Sequence, residues 1–114
     1  MKFTGQQAIY LQIADYITGN ILEQKWHEGD RIPSVRDLAV ELEVNPNTVM
    51  RTFSHLESCG IIENQRGIGF YIAEKAVETA KEMRIKRLFK EDIPRLQQEM
   101  KLLGLKLEDI ARKM

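Results

Sequence analysis

The sequence predicts a mainly α fold: a winged helix-turn-helix with a two-stranded wing, followed by a helical tail. Three observations carry this expectation. Residues 44–53 read V-N-P-N-T-V-M-R-T-F, a helix start with a proline just inside it. Two short β-type runs, I-I-E-N at 61–64 and F-Y-I-A at 70–73, flank a glycine-containing loop. Beyond Lys75, glycine vanishes until Gly104 and apolar residues recur at helical spacing.

The elements follow in chain order. Residues 8–24 form a first helix, because Ile9, Ile13, Ile17 and Ile21 recur every fourth residue with Tyr16 at an intermediate turn. Gly19 interrupts it at a cost of about 1 kcal/mol. Trp26 is expected to plug the core beneath the turn Glu28-Gly29-Asp30. Ser34 then caps a second helix, with Asp37 three residues on completing a capping-box-like S-x-x-D. Val35, Leu38, Ala39 and Leu42 supply its apolar stripe, and it should end near Glu43. Asn45 caps the third helix. Pro46 occupies its first position, where a missing N–H costs nothing and a fixed φ helps. The proline is therefore a start signal. Val49, Phe53 and Leu56 face inward, and Gly60 closes the helix in a left-handed cap. The join around Val44 is as tight as that of a helix-turn-helix.

The loop Gln65-Arg66-Gly67-Ile68-Gly69 turns one strand into the next. It is not a phosphate loop, since a third glycine is missing and a strand follows it instead of a helix. In the tail, Ile85, Leu88, Phe89, Ile93, Leu96, Met100 and Leu103 form one stripe that keeps its phase through Pro94. This pattern predicts a long helix kinked at the proline, with a break at Glu91-Asp92 as the alternative. Gly104 stops it, and residues 107–114 can add a short helix. The organisation expected is residues 1–73 as the winged unit and 74–114 as the tail.

Composition removes several function classes. The single cysteine, Cys59, excludes an internal disulfide and a multi-cysteine zinc site. His27 and His55 lie too far apart for metal-ligand spacing, so no metal and no cofactor are expected. No paired carboxylates or nucleophile–base pair can be placed in one pocket, so no catalytic residue is assigned and no enzyme is expected. No apolar run approaches the roughly 18 residues a membrane span requires. The N-terminus lacks a signal-peptide pattern, which points to a cytoplasmic protein without membrane partners. Net charge is zero but uneven: residues 1–73 carry six Lys/Arg against nine Asp/Glu, and residues 74–114 carry eleven against eight.

The outward residues remain to be explained. On the third helix, Asn47, Thr48, Met50, Arg51 and Ser54 point away from the Val49/Phe53/Leu56 stripe. They occupy the first turns, the part of a recognition helix that enters the major groove. Amides suit adenine, arginine suits guanine or phosphate, and hydroxyls suit phosphate. The helix N-terminus adds partial positive charge. Arg36 sits in the first turn of the second helix, and Arg66 at the wing tip beside Gly67. Three arginines at the exposed ends of consecutive elements point to double-stranded DNA as the partner.

Several stretches resemble the GntR family of bacterial transcription regulators. They are Ile9-Tyr10-Leu11-Gln12-Ile13; the run G-D-R-I-P-S-V-R-D-L-A from Gly29 to Ala39; Val44-Asn45-Pro46-Asn47-Thr48-Val49; Leu56-Glu57 with Gly60-Ile61-Ile62; and Arg66-Gly67-Ile68-Gly69. The short tail, with L-L-G-L-x-L-E-D-I near its end, is similar to that of the YtrA-like subfamily, whose tail serves dimerisation. The resemblance implies DNA contacts from Ser34, Arg36, Asn45, Asn47, Thr48, Arg51, Arg66 and Gly67. Two positions depart from the family: Met50, where many relatives carry a basic residue, and Pro46, where other branches place an arginine. Both lower the charge of the reading head and shift the burden to Arg36, Arg51 and Arg66.

The function expected is a sequence-specific transcription regulator, a repressor binding a palindromic operator as a homodimer. The tail stripe from Ile85 to Leu103 needs a partner surface, which a second copy can supply. The alternative is a winged helix used as a protein-interaction module, favoured by the acidic balance of residues 1–73. The residues identify neither an operator nor a small-molecule effector.

Overall fold

Isoleucine spacing in the first helix has a direct structural counterpart. A computed structural model describes residues 7–114, so the first six residues of the 1–73 segment lie outside the described part. Helix α1 (Ile9–Leu22) buries Ile13, Ile17 and Ile21 completely. Ile9, at its start, remains 46% exposed. Helix α2 (Val35–Leu42) buries Leu38, Ala39 and Leu42, whereas Val35 is only half-buried. Helix α3 (Pro46–Ser58) packs against both, and against strand β1 (Ile62–Gln65). Its Val49, Phe53 and Leu56 are fully buried. Phe53 meets Phe70 edge-on with ring centroids 4.8 Å apart. Full burial of an aliphatic or phenyl side chain is worth roughly 1.5–3 kcal/mol, so this cluster anchors α3.

Helix ends follow local chemistry. Ser34 Oγ accepts from the Asp37 N–H at 3.1 Å, and Asn45 Oδ1 from the Asn47 N–H at 2.8 Å. Helix α2 stops where Glu43 adopts left-handed backbone (φ 57°, ψ 48°). There the Val44 N–H reaches back to the Ala39 carbonyl at 3.0 Å, the long bond of a Schellman ending. Helix α3 ends the same way on Gly60 (φ 80°), with the Ile61 N–H on the Leu56 carbonyl at 3.0 Å.

Strand β2 (Gly69–Ile72) pairs antiparallel with β1, Ile62 opposite Ile72 and Gln65 opposite Gly69. Its other edge is also used. The Gly29 N–H donates to the Ile72 carbonyl at 2.8 Å, Ile72 to Asp30 at 2.9 Å and Ile32 to Phe70 at 3.0 Å, with Arg31 opposite Tyr71. The segment after the Glu28-Gly29-Asp30 turn is thus a third, one-bridge lane of the wing. Asp30 stabilises that turn by accepting from the His27 N–H at 2.8 Å. Trp26 differs from expectation. It is half-buried and sits edge-on to Tyr16 at 6.1 Å, so it lies at the rim and not within the core.

Helix α4 (Ala76–Arg87) opens with Ala76 and Ala80 fully buried. The Val77 N–H lies 3.4 Å from the Glu28 carboxylate. By contacts the chain forms two compact units, the first ending at Lys81 and the second running Glu82–Met114. In the second, α4 passes through a π-helical turn (Leu88–Asp92) into α5 (Ile93–Leu103), and α6 (Leu107–Lys113) follows. Backbone angles stay right-handed helical at Asp92 and Ile93, so no break occurs at Glu91-Asp92. The Ile93 N–H bonds the Leu88 carbonyl, five residues back. Pro94 has no N–H and its ring would meet the carbonyl four residues earlier. The widened turn just before it is one way a helix admits such a residue. Gly104, at φ 68°, ends α5.

Candidate nucleic-acid interface

The start of α3 is built to leave donors free. Capping uses Asn45 Oδ1, so its side-chain NH₂ keeps two donors. Ser34 likewise accepts through Oγ and retains its hydroxyl proton. Both residues can cap a helix and donate to a phosphate at once. Proline at the first position of α3 removes one unsatisfied N–H, and the remaining first-turn amides keep the partial positive charge of the terminus.

Beyond the cap, Asn47 is exposed, Thr48 half-buried and Arg51 exposed. These three, with Ala8, Ile9 and Tyr10 of the α1 start, line one shallow concavity of about 380 Å³. The Arg51 guanidinium carbon lies 3.9 Å from the Tyr10 ring centroid. His55, one turn further along α3, meets the same ring edge-on at 6.0 Å. Thr52, fully buried between them, donates from Oγ1 to the Tyr10 carbonyl at 2.8 Å; the Thr48 carbonyl lies 3.1 Å from the same oxygen. The inward Thr52 and the role of Tyr10 escaped sequence reasoning. Their contact spans 42 positions, and no local periodicity reports it.

Asn47, Thr48 and Arg51 are therefore brought together. Arg36 and Arg66 stand on other elements, in the first turn of α2 and at the wing tip. Both are exposed, and neither side chain makes a hydrogen bond or ion pair among the described residues. The wing tip is a turn in which the Ile68 N–H donates to the Gln65 carbonyl at 2.9 Å. Gly67 takes φ 78° at its third position while Arg66 keeps negative φ, the pattern of a type II turn that favours glycine there. The Arg31 side chain runs along β2 toward the tip end of the wing: a Cβ on Gly69, the residue just after the tip turn, would stand 3.0 Å from its Nε. Met50 is 47% exposed on α3. Among the described residues, no group of three or more His, Cys, Asp or Glu is placed to hold a metal, and no helix is long and apolar enough to cross a membrane.

Similar proteins have regulatory functions. The uncharacterized HTH-type transcriptional regulator YhcF of Bacillus subtilis (strain 168) is 43% identical over 109 residues, covering 96% of this chain and 88% of that protein. The HTH-type transcriptional repressor YtrA of the same organism is 38% identical over 102 residues, covering 90% and 78%. The solved structure of a GntR family transcriptional regulator from Listeria monocytogenes superposes with a TM-score of 0.78 at 37% identity, covering 96% and 95%. Residues 9–72 match bacterial regulatory proteins of the gntR family, more than half of the chain. With its winged helix-turn-helix, the chain belongs to that family of DNA-binding transcription regulators.

Proposed function

We propose that this protein is a homodimeric repressor of the short, YtrA-like kind that binds a palindromic operator in the cytoplasm. The observation that carries the reading is the start of α3, where Asn47, Thr48 and Arg51 converge on one open concavity. Asn47 and Arg51 read base edges in the major groove, and Met50 offers an apolar contact to a thymine methyl. Ser34, Asn45, Thr48 and Arg36 bind phosphate, and Arg66 with Gly67 brings the wing to the backbone. Repression is supported by the 38% identity to the repressor YtrA. In this reading, residues 1–73 supply the reading head and 74–114 the dimer contact. The dimer is supported by the tail: no side chain of the π turn, α5 or α6 is buried within the chain. Ile85, Leu88, Phe89, Leu96 and Leu103 are each more than 40% exposed, and Ile93 and Met100 are half-buried.

Arg36→Ala and Arg51→Ala test the reading head. Fluorescence anisotropy on a duplex enriched by the wild-type protein from a random-sequence pool, and on unselected duplex, is measured at two salt concentrations. Loss of a base contact is expected to cost roughly 1–3 kcal/mol of discrimination, and loss of a phosphate contact to weaken both duplexes alike. Unchanged affinity in both variants would remove these arginines from the interface. Absence of measurable, salt-dependent affinity for either duplex would favour the protein-interaction alternative, since binding through phosphate contacts weakens steeply with salt.

A further inference from the structure

Arg51 reaches toward solvent from α3, yet it is not loose. Its guanidinium lies over the Tyr10 ring at 3.9 Å, and Tyr10 is itself held at two further points by α3. The Thr52 hydroxyl binds its carbonyl, and His55 abuts the ring edge-on. The partner's chemistry matters. A carboxylate in this place would occupy the arginine's fork of N–H donors and cancel its charge. An aromatic face does neither. The attraction is to the ring quadrupole, and the five N–H donors lie in the guanidinium plane, unspent. Among the described residues Arg51 has no ion-pair partner that would compete.

We infer that Tyr10 is a positioning residue for DNA reading: its ring holds Arg51 beside Asn47 and Thr48 with the donor fork unoccupied, so less side-chain freedom is lost on binding. This rests on the DNA-binding reading above. Neither the ring nor its hydroxyl needs to touch the duplex; Tyr10 acts through Arg51.

A double-mutant cycle tests it, using the duplex enriched by the wild-type protein. Tyr10→Leu is expected to weaken binding roughly two- to fivefold, the equivalent of an exposed cation–π contact. Tyr10→Phe, which keeps the ring, should bind like wild type. In an Arg51→Ala background, Tyr10→Leu should weaken binding no further. A second readout needs no DNA: in the NMR spectrum of the free wild-type protein, the Arg51 Hδ and Hε resonances should be shifted upfield by the ring current. In Tyr10→Phe they should stay shifted, which keeps the test open even where Tyr10→Leu fails to fold. Unshifted Arg51 resonances in wild type overturn the inference. So does wild-type affinity in Tyr10→Leu, or an equal loss in the Arg51→Ala background, which would assign Tyr10 a direct or merely structural role. A wild-type protein that enriches no duplex overturns the DNA-binding reading and the inference with it, whatever the NMR shows.

Discussion

Arg66 has the freedom that Arg51 lacks. It projects from a turn shaped by Gly67 and bonds to nothing among the described residues. A side chain in that state reaches the sugar–phosphate backbone more readily than it holds a fixed pose against a base edge. Arg66→Ala is therefore expected to weaken binding to selected and unselected duplexes alike, and to lower the salt slope by about one unit. Anisotropy titrations across several salt concentrations measure both. An unchanged slope with altered selectivity would show that the wing reads sequence directly. Single residues also differ in how legible they are. Ser34 and Asn45 could be read as caps because each bonds an amide two or three positions away. Tyr10 could not, because its partners lie on α3.

Among the elements, two helices carry opposite backbone mismatches. Gly19 lies inside α1, and a Cβ there would meet nothing within 4 Å. Gly19→Ala is expected to raise stability by about 0.5–1 kcal/mol, because alanine has the better helix propensity and restricts the unfolded chain. At the end of α2 the case is reversed: Glu43 holds a left-handed conformation that costs most L-residues about 1–2 kcal/mol. Glu43→Gly removes that strain but adds unfolded-state entropy, so a net gain of up to about 1 kcal/mol is expected. Urea denaturation reads both effects. A loss of stability in Glu43→Gly would mean that the glutamate side chain contributes more than its backbone costs. Pro94 gives a related lesson. The tail's apolar phase showed that helix continues past it, but the π turn that accommodates it was not legible, since its widening has no residue signature of its own.

For the whole molecule, oligomerisation is the central question. The tail's apolar side chains are exposed in the single chain, and a monomer rarely leaves so large an apolar patch in water. Full-length protein is expected to sediment as a dimer at micromolar concentration (roughly the range of specific interfaces). A chain ending after Lys81 should be a folded monomer that binds a palindromic duplex far more weakly. The cut belongs after Lys81 and not at Ala73, because Ala76 and Ala80 are fully buried within the first unit. In a two-fold dimer the half-sites should lie about one helical turn apart. A monomeric full-length protein would withdraw the dimer and leave the tail for a different partner.

Local chemistry made the order of elements readable from residues alone. Helix periodicity, Ser34 and Asn45 caps, Pro46 at a first turn, Gly60 at a helix end and the Gly67 turn are all short-range effects, set by backbone sterics and hydrogen bonds within about four residues. The outward face of α3 was readable too, as the complement of its apolar stripe. Long-range contact decided the rest. Burial of Thr52, the rim position of Trp26, the extra lane of the wing from Gly29 to Ile32 and the seat of Arg51 on Tyr10 depend on which elements pack together. Periodicity marks a face as apolar or polar, but only packing says which residue of another element meets it.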